Sequence, residues 1–313
     1  MTVDNYQNTT TDIIEFLDKV KDESPDSVMT MYFVHKPSRE KFVSFMPQIS
    51  TALQKRILEM VLPVAIKSLQ YTVVSYNPVG VADKENELIH PTQVESVEKF
   101  LESLNDDNIC KDMSELNIGR INFYSIKISY EGKTVYLFRQ FSKMSKLRKG
   151  LMSQIVNNEL KEMDTDFLGI DEMTDMVLQD DVLLILNHIS LERIFNYRDE
   201  YLKITNAAIG EIVNQGIIEN VEQFSEDCQR DVRIMKRFTD MMSKDRLPLF
   251  FDHYDKVPEI VEALNLDLEF NDDGKIIYRE KSQLFHIINL MSDAYFKSLL
   301  AERLGVAKIE DTL

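Results

Sequence analysis

Two groups of basic side chains have the residue types and spacing to bind phosphate. In the first, FRQFSKMSKLRK, Arg139, Lys143, Lys146, Arg148 and Lys149 stand beside Phe138 and Phe141, and no acidic residue occurs between Lys133 and Asn158. Such cations neutralise phosphates and release their counterions, while aromatic rings can stack on bases. The same segment can dock on an acidic protein or on anionic lipid headgroups, and its plainest reading is a solvated linker whose aromatics belong to the preceding strand. The second group exists only if a helix forms. At about 100° per residue, Arg230, Arg233 and Arg237 fall on one side of a helix whose other side carries Cys228, Val232, Met235, Phe238 and Met242. Lys244 joins them if the helix persists, and Glu226 and Asp240 dilute the stripe, so an ion-paired solvent face is the favoured reading and a phosphate-tracking stripe the alternative. The 139–149 island is the preferred nucleic-acid contact, because no acid interrupts it and its charges need no helix to be close together.

Acid–base and metal chemistry have weaker support. Glu159-Leu160-Lys161 is an ExK triplet of the sort in which carboxylates hold a divalent metal and the lysine steadies an attacked phosphate. It needs a further Asp nearby, and acids crowd this region by composition alone. His188 and Glu192 lie four apart and would share a helix face, as an acid–base pair or as a helix-start histidine beside a surface glutamate. There is no HExxH, no paired Cys/His spacing, no GxGxxG, no GxxxxGK[ST] and no GxSxG. No catalytic residue, metal or cofactor is assigned. Cys110 and Cys228 are too few for a disulfide framework or a closed cysteine zinc site, so reduced thiols in the cytosol are expected, with a single disulfide between them as the alternative.

The elements that must position these residues follow from periodicity. A helix is expected over about Asp12 to Asp22, with Ile13, Phe16, Leu17 and Val20 on one face. Strands are expected at 28–34 and 41–45, then a helix at 49–62 ending before Pro63 and a strand at 70–76. Thr92 and Glu95 have capping-box spacing ahead of a helix whose stripe is Val94, Val97, Leu101 and Leu104. Residues 121–141 form a hairpin around Glu131-Gly132, and its second strand, apolar on both faces, is expected to be central. GIDEMTDMVL and DDVLLILN give two more strands around Asp180-Asp181. Helices are expected at about 189–215, 219–243 and 281–302, interrupted by a short hairpin around residues 271–274. The fold class is therefore α+β, with a mixed or antiparallel sheet in roughly the first 190 residues and a predominantly helical C-terminal part.

Composition sets the outer bounds. The 313 residues, 44% hydrophobic and 28% charged, exclude general disorder and suit two domains. These are taken as an α+β domain over 1–150 and a mainly helical α+β domain over 151–313. The longest apolar runs, 60–66 and 182–186, fall far short of the roughly 20 residues of a membrane span, and the start has no secretory character. A net charge of −17 argues against binding nucleic acid through bulk positive charge. Its distribution is uneven: residues 133–158 carry six basic and no acidic groups, whereas 159–227 carry four and 17.

The stretch FLGIDEMTDMVLQDDVLLILNHISLERIFNYRDEYLK, 167–203, with the upstream YLFRQFSK, resembles the KwaB family of the bacterial Kiwa anti-phage defence system. What recurs is an aromatic-basic strand end, an Asp before a strand, and an apolar strand leading into Leu191-Glu192-Arg193-Ile194-Phe195-Asn196-Tyr197. The match spans roughly 138–203 and consists of packing residues without a catalytic signature. It implies a cytoplasmic subunit that is recruited to the inner membrane by the membrane protein KwaA, forms a homo-oligomer, and binds DNA to obstruct phage replication; contact through Arg and Lys would be to the phosphate backbone, with low sequence specificity. A metal-dependent nuclease and a scaffold without DNA contact are the alternatives. The acidic net charge opposes DNA binding unless oligomerisation aligns several basic patches.

Overall fold

The computed structural model describes residues 3–23, 29–38, 41–80, 84–141, 153–156, 159–162, 168–297 and 304–306. The chain divides into two compact units, residues 1–76 with 80–197, and residues 77–79 with 198–313.

In the first unit, α1 (Val3–Glu23) precedes a hairpin of β1 (Met29–Ser38) and β2 (Lys41–Phe45), followed by α2 (Thr51–Leu69), β3 (Thr72–Ser75) and β4 (Glu85–Ile89). Then come α3 (Glu95–Glu102), the long hairpin β5 (Ile121–Tyr130) and β6 (Lys133–Gln140), and a short separate pair, β7 (Ser153–Val156) with β8 (Glu159–Glu162). A last hairpin, β9 (Met176–Gln179) and β10 (Val182–Ile185), leads into α4 (His188–Phe195). Eight strands make one sheet in the order β2-β1-β5-β6-β9-β10-β4-β3, antiparallel throughout except for β3 beside β4. The sheet is mixed and the expected class is correct.

Alternation along the strands gives this sheet two apolar faces, so each must be covered. Ile13, Phe16, Leu17 and Val20 of α1, and Leu58, Val61, Leu62, Ile66 and Leu69 of α2, pack on one face with Met31, Phe33, Ile126, Leu137, Val177 and Leu184. On the other, Phe100 of α3 and Phe195 of α4 meet Phe123, Phe138 and Phe42, with ring centroids 5.2–6.5 Å apart. β6 pairs with both β5 and β9, so the strand expected to be central is central. Its turn, Glu131-Gly132, has positive φ at both residues, +47° and +79°, which matches the strand twist and suits glycine at the second position.

Several expected boundaries move. α2 does not end at Pro63 but runs to Leu69, because Ala65, Ile66 and Leu69 continue the buried stripe while Pro63 lies on the exposed side. α3 has no Thr92–Glu95 capping box: Pro91–Gln93 is a 3-10 turn, capped by His90, and Val94 precedes the helix. The Val94 to Leu104 stripe is shorter than expected, with Val97 and Phe100 the buried pair in α3. β4 escapes the periodicity altogether, since its centre is the polar pair Asn86-Glu87.

The second unit holds α5 (Arg198–Gln215), β11 (Ile218–Glu219), α6 (Val221–Arg230), α7 (Val232–Ser243), α8 (Arg246–Asp252) and α9 (Val257–Ala263). The hairpin β12 (Glu269–Phe270) with β13 (Ile276–Ile277) forms where expected, and β11 joins it in parallel. α10 (Leu284–Met291), β14 (Tyr295–Lys297) and β15 (Leu304–Val306) follow. None of the three long helices is continuous. The 189–215 helix breaks at Asn196, whose φ of +53° ends α4, and the 281–302 helix gives way to β14. The 219–243 helix breaks at Asp231, which is extended and accepts the Arg233 N–H as the N-cap of α7. The core gathers Phe224, Ile234, Phe238, Leu247, Tyr278, Ile287 and Met291.

Candidate functional site

Of the residues that carry the KwaB resemblance, those described from Tyr136 to Tyr197 lie in the first unit, where β6, β9, β10 and α4 meet. Arg139, near the end of β6, donates from Nε and Nη2 to Asp171, at 2.9 and 2.7 Å, and from Nη1 to Asp175 at 2.9 Å. The Asp175 side chain is 2% exposed and also accepts from the Gln140 N–H and Asn187 Nδ2, at 2.7 and 3.1 Å. Its backbone closes the same junction: its N–H donates to the Phe138 carbonyl and its carbonyl accepts from the Leu186 and Asn187 N–H groups. A buried carboxylate requires this degree of pairing. Burial alone would lower the Arg139 pKa, but Asp171 and Asp175 outweigh it and hold it above the ordinary value.

Next to this junction, His188 at the start of α4 places Nδ1 2.7 Å from Glu87 and Nε2 3.6 Å from Glu192. The four-residue spacing of His188 and Glu192 therefore does put them together, but the shorter contact is to Glu87 of β4, which sequence reasoning missed. The His188 ring stacks on Tyr76 at 5.6 Å, and Tyr76 meets Tyr197 edge-on. Leu191, Ile194, Phe195 and Tyr197 are buried, so the helix motif consists of packing residues. Lys36 closes the far end of α4, its Nζ donating to the Ile194 carbonyl and Asn196 Oδ1, both at 2.7 Å. Among the described residues no three His, Cys, Asp or Glu side chains are grouped to hold a metal. Lys143, Lys146, Arg148 and Lys149 lie outside the described residues. The Glu159-Leu160-Lys161 triplet lies in β8, antiparallel to β7, and its side chains are outside the description.

In the second unit, the break at Asp231 separates the three arginines expected on one helix. Arg230 ends α6 and pairs with Glu226 at 3.0 Å. Arg233 and Arg237 remain on one face of α7, and both guanidinium groups lie over Phe285 of α10, at 5.3 and 5.6 Å from its centroid. Arg237 donates to Asn289, one turn further along α10. Asp231 receives Arg233 at 3.0 Å and Lys281 at 3.3 Å. The Arg233 hydrogen bond holds the Asp231 carboxyl down at about 2, against the opposing effect of burial. Lys281 and Phe285 lie some fifty residues from the arginines in sequence, and no local signal ties them together.

Both cysteines are free thiols, with no disulfide between Cys110 and Cys228, and burial pushes the Cys228 thiol pKa up. No helix among the described residues is long and apolar enough to cross a membrane. Residues 118–301, more than half of the chain, match a family model described as Kiwa protein KwaB-like. No curated protein and no solved structure matches the chain.

Proposed function

The chain belongs to the KwaB-like family and is a component of Kiwa anti-phage defence; on that premise we propose that it acts without enzymatic chemistry, by binding DNA and by docking on the membrane subunit KwaA. DNA contact is made through phosphate, by the basic side chains at 143–149 and on α7. The observation that carries this reading is the charge pattern, six basic and no acidic groups over 133–158 in a chain of net charge −17. Such a pattern concentrates attraction locally while the rest of the surface repels DNA. Assembly into a homo-oligomer multiplies that local attraction. Recruitment to the inner membrane comes from KwaA.

A mobility shift on duplex DNA over a range of salt, with and without Mg²⁺, tests the reading. Binding is expected to be nearly independent of sequence, because phosphate contacts carry no base information, and to weaken with salt by a log-log slope of about −0.9 per phosphate neutralised. A shift without cleavage in Mg²⁺ supports the proposal. Cleavage would instead favour a nuclease, and the absence of any shift a scaffold.

A further inference from the structure

We propose that Arg233, Arg237 and Lys281 form a phosphate-binding site at the N-terminal ends of α7 and α10, where the DNA backbone seats. This rests on the DNA-binding reading above and assigns it a place.

The second unit's other ion pairs among the described residues show what is different here. Lys203 lies against Glu200, Arg230 against Glu226, Lys244 against Asp240 and Arg279 against Glu269. Around Phe285 three cations gather and Asp231 is the carboxylate they share, through Arg233 and Lys281. Glu280, next in sequence, is directed to Ser282 and to the backbone of its own turn. Arg237 has the neutral amide oxygen of Asn289 as its hydrogen-bond acceptor. Collecting like charges costs free energy in the unliganded protein. The fold nonetheless holds two of them against one aromatic face, with the Arg233 side chain 74% exposed to solvent.

Arg233 commits Nε and Nη2 to Asp231 and Arg237 commits Nη1 to Asn289, so Arg233 Nη1 with Arg237 Nε and Nη2 are the guanidinium donors that remain to meet a tetrahedral oxyanion. Phosphate supplies the missing negative charge and several acceptor oxygens together. Phe285 carries the guanidinium groups on its ring, so it acts as a platform for the cations and not as a stacking surface for bases, which makes the site indifferent to base identity.

Fluorescence anisotropy with a labelled random-sequence duplex, measured across salt, separates the outcomes. Arg233→Gln with Lys281→Gln is expected to bind more weakly, with a salt slope shallower by about 1.8, or 0.9 for each phosphate no longer neutralised. Both side chains are largely exposed, but the Asp231 carboxylate they share is 8% exposed and loses both cations, so some drop in melting temperature is expected and binding is compared where the variant remains folded. Lys203→Gln removes one exposed charge from the same unit and should leave the slope unchanged. Asp231→Asn retains a good helix cap but removes the shared carboxylate, so it is expected to bind more tightly, which loss of folding cannot mimic. Wild-type binding with an unaltered slope in the double variant, or no tightening in Asp231→Asn, would overturn the site while leaving DNA binding intact. Failure of the wild type to bind would overturn both.

Discussion

Arg139 opens the stretch of sequence with the most unopposed positive charge, yet its own guanidinium is held by Asp171 and Asp175. Removing it would leave Asp175 buried with only neutral donors, the Gln140 N–H and Asn187. Breaking one side of a buried ion pair typically costs about 3–5 kcal/mol. Because those donors remain, Arg139→Ala is expected to lose about 3 kcal/mol in denaturant unfolding, the low end of that range. A loss under about 1 kcal/mol would mean that the neutral donors suffice. Reduced DNA binding in that variant would accordingly report on the junction of β6, β9 and α4. Arg233 and Lys281 sit on the surface, and Asp231→Asn, which removes the carboxylate they share, separates their charge from its structural role.

Elements were legible in the sequence wherever local pattern and tertiary burial agree. The β5–β6 hairpin alternates correctly and turns at Glu131-Gly132, and β10 is apolar on both faces because it lies inside the sheet between β9 and β4. Leu184 of that strand is fully buried, so Leu184→Asp places an uncompensated charge in the core and is expected to abolish soluble folding. Wild-type-like melting of this variant would show that the strand lies elsewhere. β4 was illegible because Asn86 and Glu87 read as solvent-facing. They are buried, and their partners, the Ser68 carbonyl and His188, come from other elements. The continuation of α2 past Pro63 was hidden for the opposite reason, since burial of Ala65, Ile66 and Leu69 overrides a local cost of about 3 kcal/mol. At the candidate site, the Arg233–Arg237 spacing was visible. The break at Asp231, and the approach of Lys281 and Phe285, depend on how α7 and α10 pack.

At the scale of the molecule, a chain of net charge −17 is repelled by anionic lipid as well as by DNA. The basic island offers about 1 kcal/mol per residue to an anionic surface, screened within a Debye length, too little for stable anchoring. Expressed without KwaA, the protein is therefore expected in the soluble fraction. With KwaA it should sediment with membranes and be released by detergent. Pelleting in the partner's absence that survives a high-salt wash would reveal an anchor in the chain itself. The order of the large sheet also bears on how the protein is made. β4, complete at Ile89, pairs with β10, which ends at Ile185, and β9 must take its place beside β6 before the two halves of the sheet are joined. A ribosome adding roughly 5–20 residues per second needs some 5–20 s to cover that interval. The β4 edge is unsatisfied throughout it and the β6 edge from the completion of that strand at Gln140, each a template for pairing with another chain. Synthesis is thus a period of aggregation hazard for this protein, which ends when β10 emerges and pairs with β4.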